Sequence, residues 1–197
     1  CCTQNGIRGG SATVHFPIWH QEIEDILVLK NNKGTEDNRV RKLDYSIQIS
    51  KLFYERFISN GEITLFSPHD VPGLYDAFGT DRFDELYVSY ERDTSVPRKT
   101  IGAQELILDL LKERAETGRI YIMNIDHCNS HSSFKDKVNM SNLCQEITLP
   151  TDPLQHIDGD GEIALCILSA INVGKVKSDE ELEDLCDLSV RGPEELI

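Results

Sequence analysis

The stretch TIGAQELILDLLKERAETGRIYIMNI, residues 100–125, indicates the fold class of this chain. In its first part, 100–117, apolar residues recur at the spacing of one helical face, and Gly118 is a residue type that commonly ends helices. The apolar positions of that face are Leu106, Ile107, Leu110 and Leu111. Residues 119–125 then have the composition of a short apolar strand. A helix followed directly by an apolar strand is typical of α/β proteins.

The same alternation continues on both sides of this stretch. The pattern predicts helices at 20–29, 44–60 and 81–92, and strands at 63–66, 146–149 and 162–171. A last helix is predicted from Ser178, where SDEE forms a capping box, up to the helix-stopping pair Gly192-Pro193. Trp19 is expected in the core. Helices alternating with apolar strands imply mostly parallel strand pairing, so the predicted fold is α/β.

Composition limits the possible functions. The chain has 197 residues, of which 39% are hydrophobic, so it is one ordinary globular domain or a piece of a larger one. Its net charge of −14 argues against nucleic acid or an acidic membrane surface as a partner. Six cysteines in a chain of this size favour a reducing compartment, in which a disulfide is more often catalytic than structural.

The stretch SNLCQEI, residues 141–147, contains the strongest candidate site. If it is extended, Asn142, Cys144 and Glu146 lie on the same face, because side chains alternate along a strand. An amide, a thiol and a carboxylate would then line one space, as in a sulfur-centred catalytic site. The alternative is a strand whose polar face merely carries these residues, and the spacing alone leaves both interpretations open.

A glycine-rich loop near the start of the chain is a second candidate. Gly6, Gly9 and Gly10 permit close backbone approach, while Gln4 and Arg8 offer forked hydrogen bonding to a nucleotide. A flexible turn with a solvated arginine fits the same residues.

Two further cysteines have simpler interpretations. Cys166, in the apolar run GEIALC at 161–166, is by default a buried, inert thiol. We predict no metal site at His127, Cys128 and His131, because 129–130 has loop composition and two histidines four apart need a helix to converge.

These motifs occur together and in order in one known family. The chain resembles the large, catalytic subunit of class I ribonucleotide reductase, in its bacterial and phage form. The resemblance runs from Cys2 to about Arg191. It is carried by GIRGG (6–10), VLKNN (28–32), TLFSPHDVPGLYDAF (64–78), GRIYI (118–122), DHCN (126–129), SNLCQEI (141–147) and GEIALC (161–166).

The resemblance implies a ten-stranded α/β barrel with a loop through its centre that carries the catalytic cysteine. This chain would supply a part of the barrel, truncated at both ends: residues 1–191 would be its central part, and 192–197 a tail foreign to the family. In that family Cys144 would carry a thiyl radical, Glu146 would be the base and Asn142 would orient the ribonucleotide. Cys166 would belong to the redox disulfide, with its partner outside this chain. Gln4, Arg8, Gly9 and Gly10 would form the loop that connects effector nucleotide and substrate base.

The resemblance also implies partners. They are a radical-generating, metal-containing small subunit, the other segments of the large subunit, a second large subunit in a homodimer, thioredoxin or glutaredoxin as reductant, and a ribonucleoside diphosphate substrate. No cofactor is expected in this chain itself, because ATP and deoxynucleotide effectors would bind mainly through other regions. The expected location is the cytoplasm, that of the host if the chain is phage-encoded, with neither nucleic acid nor membrane as partner.

Three interpretations stay open at this point. The chain is a segment of a working reductase, with activity only when assembled with the other segments and none in isolation. Alternatively it is a non-catalytic remnant. A relative of the glycyl-radical enzymes, which share the barrel and a central cysteine, is the less favoured reading, because the Asn-x-Cys-x-Glu pattern and the separate Cys166 favour the reductase.

Overall fold

The structure is a computed structural model that describes residues 3–31, 33, 35–40, 42–154, 156, 159 and 161–195. The chain divides into two compact units, residues 1–150 and 151–197. The strands, in chain order, are β1 (Thr3–Gln4), β2 (Arg8–Gly9), β3 (Thr13–Pro17), β4 (Asp44–Ile49), β5 (Glu62–Leu65), β6 (Lys99–Gly102) and β7 (Ile120–Asn124). The helices are α1 (Ile23–Leu27), α2 (Lys51–Ile58), α3 (Leu74–Ala77), α4 (Phe83–Arg92), α5 (Ala103–Thr117), α6 (Ile125–Ser130) and α7 (Asp179–Glu194), and short 3-10 turns occupy Glu36–Asn38 and Val173–Lys175.

A three-stranded parallel sheet organises the first unit. Its order is β3–β4–β7, and β4 is buried along nearly its whole length. A strand covered on both faces is typical of parallel sheets in α/β proteins. The predicted parallel pairing is therefore confirmed for this sheet, whereas the pairs β1–β2 and β5–β6 are antiparallel.

The two faces of this sheet differ in chemistry. The register pairs His15 with Ser46 and Ser46 with Tyr121, so these three side chains lie on one face. The opposite face carries Ile47 and Ile120, which are fully buried in the hydrophobic core. Helix α5 packs against β7, α1 and α2.

An aromatic cluster fills the core between the helices. Phe53 makes edge-on contacts with Phe78 and Tyr87 at centroid distances of 6.3 and 5.4 Å, and Trp19 packs edge-on to Phe78 at 6.0 Å. Trp19 is completely buried, which confirms its predicted place. Such edge-to-face geometry is the preferred arrangement of aromatic rings.

Most predicted elements of the first unit are confirmed with shifted ends. The predicted segments 20–29, 63–66, 81–92, 100–117 and 119–125 appear as α1, β5, α4, α5 and β7. Gly118 ends α5 in the left-handed conformation, at φ +65°. Helix α5 begins later than predicted because Lys99–Gly102 pairs with β5 as β6.

The prediction of one helix over 44–60 is wrong in its first half. Asp44–Ile49 is strand β4, Ser50 is extended, and only Lys51–Ile58 is helical. Tyr45 and Ile47 favour a strand, and hydrogen bonding to neighbours on both sides outweighs the helical periodicity of this segment.

The second unit contains α7 and no regular strand among its described residues. The strand predicted at 162–171 is wrong: the segment pairs with no strand in the part of the chain that the structure describes, and Ile163, Leu165 and Leu168 are 64, 61 and 79% exposed. Backbone of strand composition forms a strand only where a second strand accepts its hydrogen bonds.

Helix α7 begins as predicted, since the Ser178 Oγ accepts the Glu181 N–H at 3.2 Å. It does not end at Gly192-Pro193 but continues to Glu194. Pro193 lacks the N–H that would bind the Ser189 carbonyl, and the Ser169 hydroxyl donates to that carbonyl instead, at 2.8 Å. The stripe of Leu182, Leu185 and Leu188 has no fully buried member.

Of the helices in the described parts of both units, none has the length and apolar character needed to cross a bilayer.

Candidate active site

Polar side chains line one face of the parallel sheet, where a buried α/β strand usually carries apolar ones. They are Thr13 and His15 on β3, and Ser46 and Gln48 on β4. Ser46 and Gln48 are 0 and 1% exposed. Buried polar groups need hydrogen-bond partners, so this face requires a polar segment to cover it.

The segment 139–147 is that cover. The Gln48 amide donates to the Asn139 carbonyl at 2.7 Å, and the Thr13 hydroxyl donates to the Leu143 carbonyl at 2.7 Å. His15 Nε2 lies 3.2 Å from the Ser141 carbonyl. These contacts span more than 90 positions of sequence and attach the loop to β3 and β4.

Cys144 lies in a turn that this loop forms. The Gln145 N–H donates to the Asn142 carbonyl at 3.2 Å, and the Ile147 N–H donates to Asn142 Oδ1 at 3.0 Å. The Ser141 hydroxyl and the Asn142 N–H both donate to the Ile147 carbonyl, at 2.6 and 3.3 Å. The two limbs of the turn, 141–142 and 147, therefore run side by side, and Cys144 lies in the segment that connects them.

The predicted extended conformation of 141–149 is wrong, as is the strand at 146–149. Gln145 has φ +67°, in the left-handed region, which reverses the chain and ends the alternation of faces. Side chains of the sheet's polar face and of the loop itself provide the loop backbone with the hydrogen bonds that a neighbouring strand would have supplied. The spacing argument for Asn142, Cys144 and Glu146 thus fails, although all three lie in the same turn.

The three candidate catalytic side chains differ in exposure. Cys144 and Glu146 are exposed, whereas Asn142 is half-buried and uses its Oδ1 to close the turn. Cys144 is a free thiol. A turn held by several hydrogen bonds thus carries an exposed thiol and, two residues further on, an exposed carboxylate.

A cavity of about 420 Å³ lies next to this turn. Its lining residues are Ile122, Met123, Asn124, His127, Cys128, His131, Ser141, Gln145 and Thr148. It opens beyond the carboxyl end of β7, the edge at which α/β sheets commonly bind ligands.

The loop predicted at 129–130 is wrong, because Ile125–Ser130 forms helix α6. The rings of His127 and His131 are accordingly 5.8 Å apart, with His131 Nδ1 3.0 Å from the His127 carbonyl. Burial raises the pKa of the Cys128 thiol. Among the described residues no group of three His, Cys, Asp or Glu side chains gathers in metal-binding geometry. The absence of a metal site stays a prediction.

The glycine-rich loop forms a small antiparallel hairpin. Strands β1 and β2 pair, with Asn5 and Gly6 at φ +51° and +75° in the connecting turn. Arg8, Gly9 and Gly10 are exposed, and the side chain of Gln4 lies outside the described residues. The role of this hairpin in nucleotide binding stays a prediction.

Cys166 belongs to the second unit. It is a free thiol, it is exposed, and its segment has no regular secondary structure, so the default interpretation of a buried thiol in a strand is wrong. Its redox role stays a prediction.

Sequence reasoning missed His15, Ser46 and Gln48 as parts of the site. One signal was available: Ser46 and Gln48 alternate with Tyr45, Ile47 and Ile49, and two polar residues on one face of a buried strand imply a polar partner.

The first unit is thus an α/β domain whose sheet has one polar face, covered by a turn that presents a free cysteine. The family model described as ribonucleotide reductase, barrel domain, matches residues 1–197. The chain therefore belongs to the ribonucleotide reductase barrel-domain family, and its mixed α/β fold with a parallel sheet agrees with part of such a barrel. The match includes 192–197, and the foreign origin of that tail stays a prediction.

Three relatives illustrate the similarity. The chain is 58% identical to a ribonucleoside-diphosphate reductase subunit alpha of Haemophilus influenzae, over 202 aligned residues that cover 100% of this chain and 27% of that protein. It is 56% identical to ribonucleoside-diphosphate reductase 1 subunit alpha of Escherichia coli K12, covering 78% of this chain and 21% of the relative. The subunit alpha of Enterobacteria phage T4 is 44% identical, with 100% and 27% covered. The chain thus spans about a quarter of the length of the curated relatives it matches.

Proposed function

We propose that this chain is a segment of the catalytic barrel of a ribonucleoside-diphosphate reductase large subunit. The reaction reduces a ribonucleoside diphosphate to the deoxyribonucleotide, the building block of DNA replication. The activity belongs to the assembled subunit, because the chain matches 27% of the relative from Haemophilus influenzae. In isolation it is inactive. The observation that carries the proposal is the free, exposed Cys144 on a turn clamped to the polar face of the sheet.

The chemistry begins at Cys144. A thiyl radical on its Sγ abstracts the 3′-hydrogen of the ribose, so that an S–H bond forms as the C–H bond breaks. Glu146 accepts the proton of the 3′-hydroxyl, which helps the 2′-hydroxyl to leave as water. The Asn142 amide nitrogen carries two N–H donors that orient the ribose. Cys144 finally returns the hydrogen to C3′ and regains its radical.

Reduction also needs two electrons and two protons. Cys166 and a thiol outside this chain supply them and become a disulfide, which balances the loss of water from the substrate. Thioredoxin or glutaredoxin then restores both thiols. The starting radical comes from a separate, metal-containing small subunit, and this chain itself holds no cofactor.

The remaining roles follow the family. Gln4, Arg8, Gly9 and Gly10 connect the substrate base to an allosteric effector, ATP or a deoxynucleotide, which binds mainly through other segments. The complete large subunit forms a homodimer in the cytoplasm, of the host if the gene is carried by a phage. The reductase is favoured over a non-catalytic remnant because Asn142, Cys144 and Glu146 share one ordered turn.

A chimera tests the proposal. This segment replaces the matching one in the Haemophilus influenzae subunit, and deoxynucleotide formation is measured with the small subunit and a dithiol reductant. We expect activity in the chimera, its complete loss in Cys144→Ser, and retention in the control Cys186→Ser, whose thiol is exposed on α7. Activity that survives Cys144→Ser refutes the assigned role. A chimera that melts as cooperatively as the parent but has no activity contradicts the function itself.

A further inference from the structure

We propose that His15 and Gln145 are positioning residues that brace the Cys144 turn, by joining its two limbs to each other and to strand β4. This inference deepens the proposed function, on which its catalytic consequence rests. The brace itself is a property of this chain and can be measured without activity.

The brace is a continuous set of side-chain contacts. The Gln145 amide donates to the Ser46 hydroxyl, and the same nitrogen lies 3.4 Å from His15 Nδ1. On its other side, His15 Nε2 lies 3.2 Å from the Ser141 carbonyl. One imidazole therefore contacts the residue that precedes the turn and the residue that follows Cys144.

The contacts of the His15 ring require its uncharged form. The Gln145 amide N–H at Nδ1 and the Ser141 backbone N–H, 3.4 Å from Nε2, can only donate, so at least one ring nitrogen accepts; when Nδ1 accepts, the proton on Nε2 donates to the Ser141 carbonyl. This is the neutral imidazole. Burial, the main cause, lowers the pKa of His15, although the bond to Ser141 acts in the opposite direction. The residues that hydrogen-bond to the ring are uncharged: the Gln145 side chain and the Ser141 backbone.

The backbone of Gln145 shows why a brace is needed. Its φ of +67° lies in the left-handed region, which glycine adopts freely and residues with a side chain rarely do. A residue other than Gly, Asn or Asp persists there when its surroundings hold it in place. The contacts with Ser46 and His15 hold Gln145 in this conformation, and the Gln145 side chain makes both of them.

The brace acts separately from the other attachments of the loop. Thr13 holds the Leu143 carbonyl and Gln48 holds the Asn139 carbonyl, and neither contact involves His15 or Gln145. Loss of the brace should therefore loosen the two limbs around Cys144 while the loop stays on the sheet.

Amide hydrogen exchange of the full chain tests the brace. We expect His15→Leu and Gln145→Gly each to speed exchange of the amides of 142–147 about tenfold or more, with α5 unchanged. Gln145→Gly suits the left-handed backbone, so it removes the brace without adding strain. His15→Gln, which keeps an N–H donor near Ser141, should restore part of the protection. The matched control is His20→Leu, a half-buried histidine that contacts Glu22 rather than the turn.

The outcomes separate the brace from the function. If the amides of 142–147 exchange at the original rate in His15→Leu and Gln145→Gly, the brace is refuted. It is also refuted if these amides are accelerated equally in His20→Leu, or if the amides of α5 are accelerated as much as those of 142–147. In the active chimera, the brace predicts that Gln145→Gly lowers kcat at least tenfold with an unchanged KM, because Cys144 is displaced while the substrate still binds. An unchanged kcat overturns the positioning role. A brace confirmed by exchange in an inactive chimera contradicts the proposed function alone.

Discussion

Replacing Tyr87 by phenylalanine removes one oxygen atom that satisfies two backbone groups in the core. The Tyr87 hydroxyl donates to the Thr64 carbonyl at 2.7 Å and accepts the Thr64 N–H at 2.8 Å. Two residues further on, on the same side of this extended segment, the Phe66 N–H donates to a backbone group, the Trp19 carbonyl, at 2.8 Å. The hydroxyl therefore takes the place of a neighbouring strand beside Thr64.

The magnitude follows from this geometry. Tyr87 is completely buried, so no water replaces its hydroxyl without rearrangement of the core. Each buried backbone group left without a partner costs about 1–3 kcal/mol, and partial relaxation favours the lower half of the sum. We expect Tyr87→Phe to lower the free energy of unfolding by about 2–4 kcal/mol, a large share of a typical domain stability of about 5–15 kcal/mol.

Urea denaturation, followed by the fluorescence of buried Trp19, measures this loss as a lower midpoint at an unchanged m value. The matched control is Tyr90→Phe on the same helix, whose hydroxyl donates to the Pro72 carbonyl at 2.8 Å in an exposed position. Water can replace that bond, so its loss should cost about 1 kcal/mol or less. A difference between the two variants below about 0.5 kcal/mol, the scatter of ordinary surface substitutions, would refute the reasoning.

Three other perturbations have definite expected results. Gly79→Ala places a Cβ 2.7 Å from Ile125 at φ +85° and should destabilise by about 2–4 kcal/mol, against about 1 kcal/mol for Gly118→Ala in open space, both by thermal denaturation. Ser178→Ala removes the α7 cap and should cost about 1 kcal/mol of helix stability, visible as faster amide exchange in its first turn alone. The pKa of His15 is lower in the folded chain than in the unfolded chain. The contribution of neutral His15 to the free energy of unfolding is therefore complete above about pH 6.5 and is lost as the pH falls through the folded pKa. The stability of His15→Gln should depend less on pH in this acid range.

Local signals in the sequence were sufficient to predict elements that are stabilised by contacts within the element itself. Helix α5 was predicted from the periodicity of its apolar residues and from Gly118, and α7 from the capping box at Ser178. Such features depend on contacts within a few residues, so they can be recognised without knowledge of the fold. Helix α4 was likewise predicted from its pattern, and its Phe83 and Tyr87 are buried.

The candidate site was proposed from its residue types, and its geometry was predicted wrongly. Cys144, Asn142 and Glu146 lie in one local segment, but that segment is a turn and not extended. The turn depends on Gln145 in a left-handed conformation and on partners 99 or more positions away, Ser46 and His15. No local pattern reports such contacts.

What the sequence determined by itself is therefore the α/β class, most helices and the family, and the catalytic roles of Asn142, Cys144 and Glu146 stay a prediction. Only the tertiary structure decided that 44–49 is a central strand rather than a helix, and that 141–147 is a turn rather than a strand. The physical reason is common to both segments. Their backbone and polar side chains find their hydrogen-bond partners in distant parts of the chain, and a buried polar group adopts the conformation in which such partners exist.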